Sequence, residues 1–304
     1  AHLNPTLEAL VDVSTGRRLN YREIDLRSNK VANAVRDLGV RKGDRVAILM
    51  MNGVEYFESF TGLAKIGAVV VPLNWRLVAD ELSYILKDAG AATLIYGSDF
   101  SETVCDLHGR GGDGTDIVNW VEFSGEGHER DLFAADYNNL IDPASEAAPE
   151  ITAGDDDDLF IMYTSGTTGL PKGALHTHNT MTWALITISV TGEFRYKDRF
   201  AIALPMFHVG ALLPAIVTVY IGGTCVMLRQ FDPKLMWEVT EQEKLTVNLA
   251  VPAMLNFMLQ VPEFQNYDFS HLRWIMSGAS PVPASLIETY KDIGIEVHQV
   301  YGIT

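Results

Sequence analysis

Apolar positions recur along the chain in two alternating periods. Ile24, Ser28, Val31, Val35 and Leu38 share one face at spacings of three to four, which predicts a helix. Asn20 stands at its N-cap, Glu23 three positions on completes a capping-box pattern, and Gly39 closes it. Residues 45–50 form a short apolar run, the mark of a buried strand. The same pair then repeats: a helix over about 54–66 stopped by Gly67, a strand at 68–71, a helix over about 80–89 stopped by Gly90, and a strand at 92–96. Residues 117–123 and 159–163 read as further strands, and the alternation resumes with strands near 199–204, 224–228, 246–251, 273–276 and 296–301. Helices near 209–221, 233–243, 252–261 and 283–293 separate these last strands. Strands apolar throughout, alternating with helices, predict an α/β fold with a mostly parallel sheet covered on both faces.

Length and charge refine this outline. A chain of 304 residues suits one large α/β unit or two fused subdomains, here 1–123 and 159–304. The net charge of −16 is local: residues 113–158 hold 14 Asp and Glu against Arg130. With Pro143, Pro149 and the run 155–158, the stretch 124–158 reads as a solvated acidic connector. The acidic balance argues against a nucleic-acid partner. Cys105 and Cys225 have no metal or redox spacing and suit a reducing cytoplasm, and no signal-peptide pattern opens the chain. Residues 200–228 lack Asp, Glu, Lys and Arg, but Pro205, His208, Gly210, Pro214, Gly222 and Gly223 interrupt them, so strand, helix and strand fit better than a transmembrane span. The G-x-G-x-x-G match at 109–114 has no buried strand before it and no helix after it, and reads as a surface loop.

The candidate chemistry centres on Tyr163-Thr-Ser-Gly-Thr-Thr-Gly-Leu-Pro-Lys-Gly173. Hydroxyls of Thr164, Ser165, Thr167 and Thr168, glycines Gly166, Gly169 and Gly173, and Lys172 follow directly on an apolar strand. Glycine lets the backbone approach an anion closely, so the stretch reads as a phosphate cradle. It departs from the G-x-x-x-x-G-K-[ST] loop, since Pro171 precedes the lysine and Gly173 follows it. Three other stretches lie at predicted strand ends, where open α/β sheets bind ligands: 204–212 with His208, 274–281 with Ser277-Gly-Ala-Ser280, and 300–304. A lone histidine in an apolar run is, by itself, more often a core residue than a catalyst.

The undecapeptide resembles the signature of the AMP-forming adenylate-forming superfamily, which includes acyl-CoA synthetases, luciferases and peptide-synthetase adenylation domains. The segments 41–46, 67–74 and 252–258 resemble most the long- and very-long-chain fatty-acyl-CoA synthetases. That resemblance implies two mostly parallel, helix-covered sheets packed together as the large N-terminal domain. It further implies a fatty acid:CoA ligase that uses ATP, Mg²⁺ and CoA and activates a medium- to long-chain acid as its adenylate. The implied phosphate-binding residues are Thr164, Ser165, Gly166, Thr167, Thr168, Gly169 and Lys172. His208 would stand beside the carboxylate, and because related amino-acid-activating domains carry aspartate in this block, an α-amino acid is disfavoured. Gly278, Ala279, Ser280, Tyr301, Gly302 and Thr304 would hold adenine and AMP, with Tyr301 stacked on the base and Thr304 on the α-phosphate. Val209, Gly210, Ala211, Ala250, Gly278 and Ala279 would form an uncharged acyl wall.

The Mg²⁺-binding glutamate, the ribose-binding aspartate, the hinge and the lid with its catalytic lysine fall beyond Thr304 in the family's order. The 304 residues alone are therefore expected to bind nucleotide weakly and to make negligible acyl-CoA. Arg195, Lys197 and Arg199 form a basic cluster near the expected acyl entrance, a place for peripheral membrane contact, although solvated charge is its plainer meaning. The alternatives are an aryl-CoA ligase of the 4-coumarate type, an acyl-AMP ligase that feeds a carrier protein, and a non-catalytic membrane-associated protein.

Overall fold

A computed structural model describes residues 1–125, 127–164 and 169–304. In chain order the elements are β1 (Glu8–Asp12), β2 (Arg18–Asn20), α1 (Tyr21–Asp37), β3 (Arg45–Leu49), α2 (Val54–Lys65), β4 (Val69–Pro72), α3 (Ala79–Ala89) and β5 (Ala91–Gly97). Then come α4 (Ser101–Gly109), β6 (Asn119–Phe123), β7 (Ala135–Asp136), α5 (Tyr137–Ile141), β8 (Asp158–Thr164), β9 (Lys172–Thr177) and α6 (His178–Thr191). The chain continues through β10 (Arg199–Ile202), α7 (Val209–Tyr220), β11 (Thr224–Met227), α8 (Pro233–Gln242), β12 (Val247–Leu249), α9 (Pro252–Leu259), β13 (Trp274–Ser277), α10 (Ala284–Asp292) and β14 (Glu296–Gln299). They gather into two compact units, a first of Arg22–Trp183 and a second of Ala1–Tyr21 with Ala184–Thr304. The α/β reading with two mostly parallel sheets holds, one sheet to each unit.

The first unit orders its strands β7-β6-β5-β3-β4-β8-β9, all neighbours parallel except the antiparallel β8–β9 edge. Leu82, Ile85 and Leu86 of α3 and Val104 and Leu107 of α4 cover one face, against Ala47, Leu49 and Leu94 of β3 and β5. Gly90 ends α3 in the left-handed conformation, at φ 65°, as the sequence predicts. Glu58 of α2, wholly buried, is held by Arg27 of α1 and accepts from the Tyr137 hydroxyl of α5 at 2.8 Å. Burial tends to push the Glu58 carboxyl up, while the Arg27 contact opposes it.

The second unit orders its strands β14-β13-β12-β10-β11-β1-β2, parallel throughout except β1–β2. Its largest apolar cluster places Met236 and Trp237 of α8, Leu255 and Met258 of α9 and Tyr290 of α10 over Ala201, Val226 and Ile275. The polar ends of those aromatics are paired: Trp237 Nε1 donates to the Met258 carbonyl and Tyr290 to that of Leu255, each at 2.9 Å.

The linear subdivision expected from sequence is corrected in three places. β1 and β2, far from 159–304 in sequence, complete the second unit's sheet, and β8 and β9 belong to the first. Parallel pairing does not require neighbours in sequence, so a break drawn at a composition change misplaces edge strands. The stretch 124–158 is largely exposed, as expected of a solvated connector, but it is fastened to the first unit and does not hang free. Asn29, Asn33 and Lys30 of α1 donate to the carbonyls of Glu146, Ser145, Ala147 and Asp142, and Lys42 to that of Thr152. Lys42 also pairs with Asp157 at 2.6 Å, which holds that carboxyl below its ordinary range. Side-chain donors satisfy a backbone that has few partners of its own.

The uncharged run resolves as β10, α7 and β11, and among the described residues no helix is long and apolar enough to cross a membrane. The glycine-rich 109–114 stretch is the end of α4 and a short turn, with Lys87 Nζ on the carbonyls of Gly112 and Asp113 at 2.8 Å. In the basic cluster, Arg199 begins β10, at the end away from His208, and pairs with Glu8 at 2.8 Å and with Glu243, both of which also bind Arg18. Its guanidinium is committed inside the second unit.

Candidate functional site

In the first unit the cradle sequence joins two antiparallel strands, with Thr164 of β8 opposite Lys172 of β9. Ser165, Gly166, Thr167 and Thr168 lie outside the described residues. Gly169 is exposed, and Lys172 opens β9 with its side chain in solvent. Thr164 is exposed also. Gly173 has a different office. A Cβ there would lie 2.6 Å from Ile161 Cγ2 and 3.2 Å from the Tyr163 ring, so the position is glycine because the Ile161 methyl, with the ring beside it, occupies the space. The Tyr163 hydroxyl donates to Asp88 of α3 at 2.6 Å, and burial followed by this carboxylate raises its pKa. The hairpin thereby acquires a fixed root on α3.

In the second unit the other segments follow the C-terminal ends of three parallel strands, β10, β13 and β14, with β12 between the first two. After β10, Met206 and Phe207 turn inward, at 1% and 3% exposure, and His208 stays exposed. His208 is the N-cap of α7, its carbonyl accepting from Ala211 and Leu212 at 3.0 Å. The core-histidine reading is thus set aside: the ring stands at a helix N-terminus, where the backbone dipoles favour an anion. Val209 and Gly210 are half-buried and Ala211 is buried. Pro214, inside α7, has no N–H for the Gly210 carbonyl four residues earlier.

Gly210 and Ala211 border a closely packed crevice with Phe200, Ile202, Leu204 and Leu249, all of them uncharged. Ala250 is fully buried within the apolar core, while its neighbour Leu249 borders the crevice. At a strand end successive side chains point to opposite faces, so an offset of one residue changes which side chain meets a ligand.

After β13, Gly278 is buried against the strand that follows. A Cβ there would meet the Val300 carbonyl at 2.6 Å, and Val300 donates to the Ser277 carbonyl at 2.8 Å. Ala279 sits in the left-handed region at φ 66°, which costs a non-glycine residue about 1 kcal/mol or more, and both Ala279 and Ser280 are exposed. Beyond β14, Tyr301 is 94% exposed and Gly302 is exposed, while Thr304 is half-buried. The sheet order therefore brings His208, Gly278 and Tyr301 to one end of one sheet.

Residues 1–304 match the family described as AMP-binding enzyme. The chain belongs to that family. Among similar AMP-binding enzymes, the long-chain-fatty-acid–CoA ligase FadD13 of Mycobacterium tuberculosis is 40% identical over the whole chain, which spans 58% of that ligase's length. A feruloyl-CoA synthase of Amycolatopsis is 36% identical over 95% of the chain, equal to 55% of that enzyme. The inhibitor-bound N-terminal domain of FACL13 from M. tuberculosis superposes on the whole chain with a TM-score of 0.92 at 38% identity, covering 73% of that structure. At such identity the family's two-sheet N-terminal fold is secure.

Proposed function

We propose that this chain is the nucleotide- and acyl-binding part of an AMP-forming acid–thiol ligase acting on a medium- to long-chain fatty acid. The observation that carries the reading is the exposed His208 at the N-terminus of α7, followed by the uncharged Val209, Gly210 and Ala211, in a chain 40% identical to a long-chain-fatty-acid–CoA ligase. The reaction has two steps. An acid oxygen attacks the α-phosphorus of ATP and pyrophosphate departs. The CoA sulfur then attacks the acyl carbon and AMP departs.

Here Lys172 and the hydroxyls of 164–168 would bind the β- and γ-phosphates and offset the charge gathering on the leaving pyrophosphate. His208 and the amides that open α7 would orient the acid's carboxylate, which fixes its approach before reaction. Gly278 would let the adenylate lie flat on the backbone, Tyr301 would stack on adenine, and Thr304 would donate to the α-phosphate. The fatty chain would run along Gly210, Ala211 and Leu249. Mg²⁺ supplies charge neutralisation to such phosphates. Residues 163–173, 204–212, 277–281 and 300–304 contain no carboxylate, a poor set for that ion, and no step is assigned to it.

Pyrophosphate release by a chain that includes the lid domain tests the reading. Palmitate and ATP are expected to give adenylate, and CoA to give palmitoyl-CoA. The 36% identity with a feruloyl-CoA synthase favours a second reading, an aryl-CoA ligase. Preference for ferulate over palmitate would establish that alternative. Acyl-AMP that CoA does not consume would point instead to a ligase serving a carrier protein, as the 33% identical fatty acid–[acyl-carrier-protein] ligase ScoC does.

A further inference from the structure

A second polar cluster lies in the first unit, built from three segments that the proposed reaction does not use. Glu122 ends β6, wholly buried, while His128 and Asp131 stand on the loop toward β7, and their ligand-type atoms lie within 4.8 Å of one another. His128 Nε2 is 3.2 Å from Glu122 Oε1. Cys105 of α4 stands beside that trio, its sulfur 3.3 Å from Asp131 Oδ1. Ligand atoms around a tetrahedral zinc ion, at bond lengths of roughly 2.0–2.3 Å, stand roughly 3.3–3.8 Å from their neighbours. The two closest contacts, at 3.2 and 3.3 Å, lie at or just below the short end of that range.

The surroundings match what metal ligands need. The Tyr96 hydroxyl, itself buried, contacts Asp131 Oδ2 at 2.8 Å and Glu122 Oε2 at 3.2 Å. The Asp131 amide donates to Glu122 Oε2 at 2.8 Å, and the Ser124 hydroxyl donates to Oε1 at 3.0 Å. Such contacts orient carboxylates from outside the coordination shell. The remaining neighbour of His128 Nε2 is the Ser101 hydroxyl at 3.2 Å, a partner that gives way without breaking the fold. Arg130 does not neutralise the pair; its guanidinium goes to the carbonyls of Asp131 and Ala134. Two carboxylates with a shared hydroxyl thus sit together, Glu122 buried and Asp131 half-buried beneath the exposed His128, and a divalent cation would offset their charge. On binding the cation the Cys105 thiol would give up its proton to solvent.

The geometry points to a binding site for a divalent transition metal of the zinc class, formed by Cys105, Glu122, His128 and Asp131 and distinct from the proposed adenylate site. Mixed sulfur, nitrogen and oxygen donors select such an ion over Mg²⁺ or Ca²⁺. The sequence offers no hint of it, because the four residues follow no recognised ligand spacing and meet only through the β5–β6 pairing and the packing of α4.

The test is to strip the 304-residue chain with chelator and titrate it with Co²⁺ without nucleotide. One equivalent should bind with thiolate-to-cobalt absorption in the near ultraviolet, and Zn²⁺ should displace it. Cys105→Ser should lose that band, and His128→Ala should lower affinity on the order of ten-fold or more; both sites reach the surface, so folding should survive. Tyr96→Phe, which keeps the ring, should weaken binding on the order of ten- to a hundred-fold through the lost hydrogen bonds. Failure of the unaltered chain to bind one equivalent, a bound ion without the sulfur band, or affinity unchanged in His128→Ala would each overturn the assignment.

Discussion

The two units are the same arrangement built twice. Read across the sheet, β7-β6-β5-β3-β4-β8-β9 and β14-β13-β12-β10-β11-β1-β2 have the same connectivity, except that the second takes its last two strands from the start of the chain. Each ends in an antiparallel hairpin, and the hairpins differ in what their turns do. In the second unit Asp12 ends β1, and its Oδ1 accepts from the Ser14 amide at 2.9 Å, the Ser14 hydroxyl at 2.6 Å and the Thr15 amide at 3.3 Å. That turn satisfies itself. In the first unit the corresponding strand end is Thr164, and the stretch to Lys172 contains four hydroxyls and a lysine but no carboxylate. One hairpin spends its donors internally, whereas the other is the one proposed to present its lysine and hydroxyls to an outside anion, so in that proposal the same scaffold serves structure in one place and recognition in the other.

Exchanging those roles gives the largest expected effect. In a chain that includes the lid, Lys172→Ala should slow adenylate formation on the order of 100- to 1,000-fold, as when one transition-state donor is removed, with folding unchanged. Asp12→Ala should leave that rate alone. Pyrophosphate-release kinetics on both variants decide it, and comparable losses would erase the functional distinction between the hairpins.

Stability separates them next. Gly173→Ala drives a methyl against Ile161 and Tyr163, and urea unfolding should show a loss of about 1–3 kcal/mol. Asp12→Ala removes the acceptor that ties the turn together, and because the Ser14 and Thr15 donors are exposed and can turn to water it should cost about 0.5–1.5 kcal/mol. If Gly173→Ala were neutral in stability yet slowed adenylation, the glycine would belong to the cradle and not to the sheet.

Acid should distinguish the units most gently. Burial pulls His176, at the end of β9, and His178, at the start of α6, below the ordinary imidazole value of 6.5. The unfolded chain then binds more protons than the folded one, so this stability is complete above about pH 6.5 and declines as pH falls toward the folded values. In the second unit the Arg18 hydrogen bond holds the Glu243 carboxyl below its ordinary value, so that contribution is lost only well below the histidine range. Peptide-resolved hydrogen exchange at about pH 7 and about pH 5.5, corrected for intrinsic rates, should show faster exchange at 172–181 with 8–20 unchanged. Equal change in both would contradict this ordering.

Much of the molecule was legible from periodicity. The helices α1, α2 and α3 and strands β3 to β5 lie within a residue or two of their predicted limits because buried strands are apolar throughout and glycine ends the helices. Elements without such contrast were missed. β9 is a largely exposed edge strand, and α6, rich in threonine and β-branched residues and lacking charge, has almost no amphipathic pattern. α4 and α5 are short, and α5 is held by Tyr137 on the buried Glu58, a contact between residues far apart in the chain. At the candidate site, the motifs identified Lys172, His208, Gly278 and Tyr301 as residues of interest, but not that Gly173 answers to the packed Ile161 and Tyr163 side chains or that Ala250 lies in the apolar core.

By itself, the sequence determined the family, the alternation of strands and helices and the residue types proposed to meet phosphate and acid, because these are encoded locally in runs and motifs. Only the tertiary structure decided which strands join which sheet, that the acidic stretch is fastened to α1, and that Cys105, Glu122, His128 and Asp131 converge. Those facts depend on pairings between distant residues, whose closure is repaid only when the whole sheet forms.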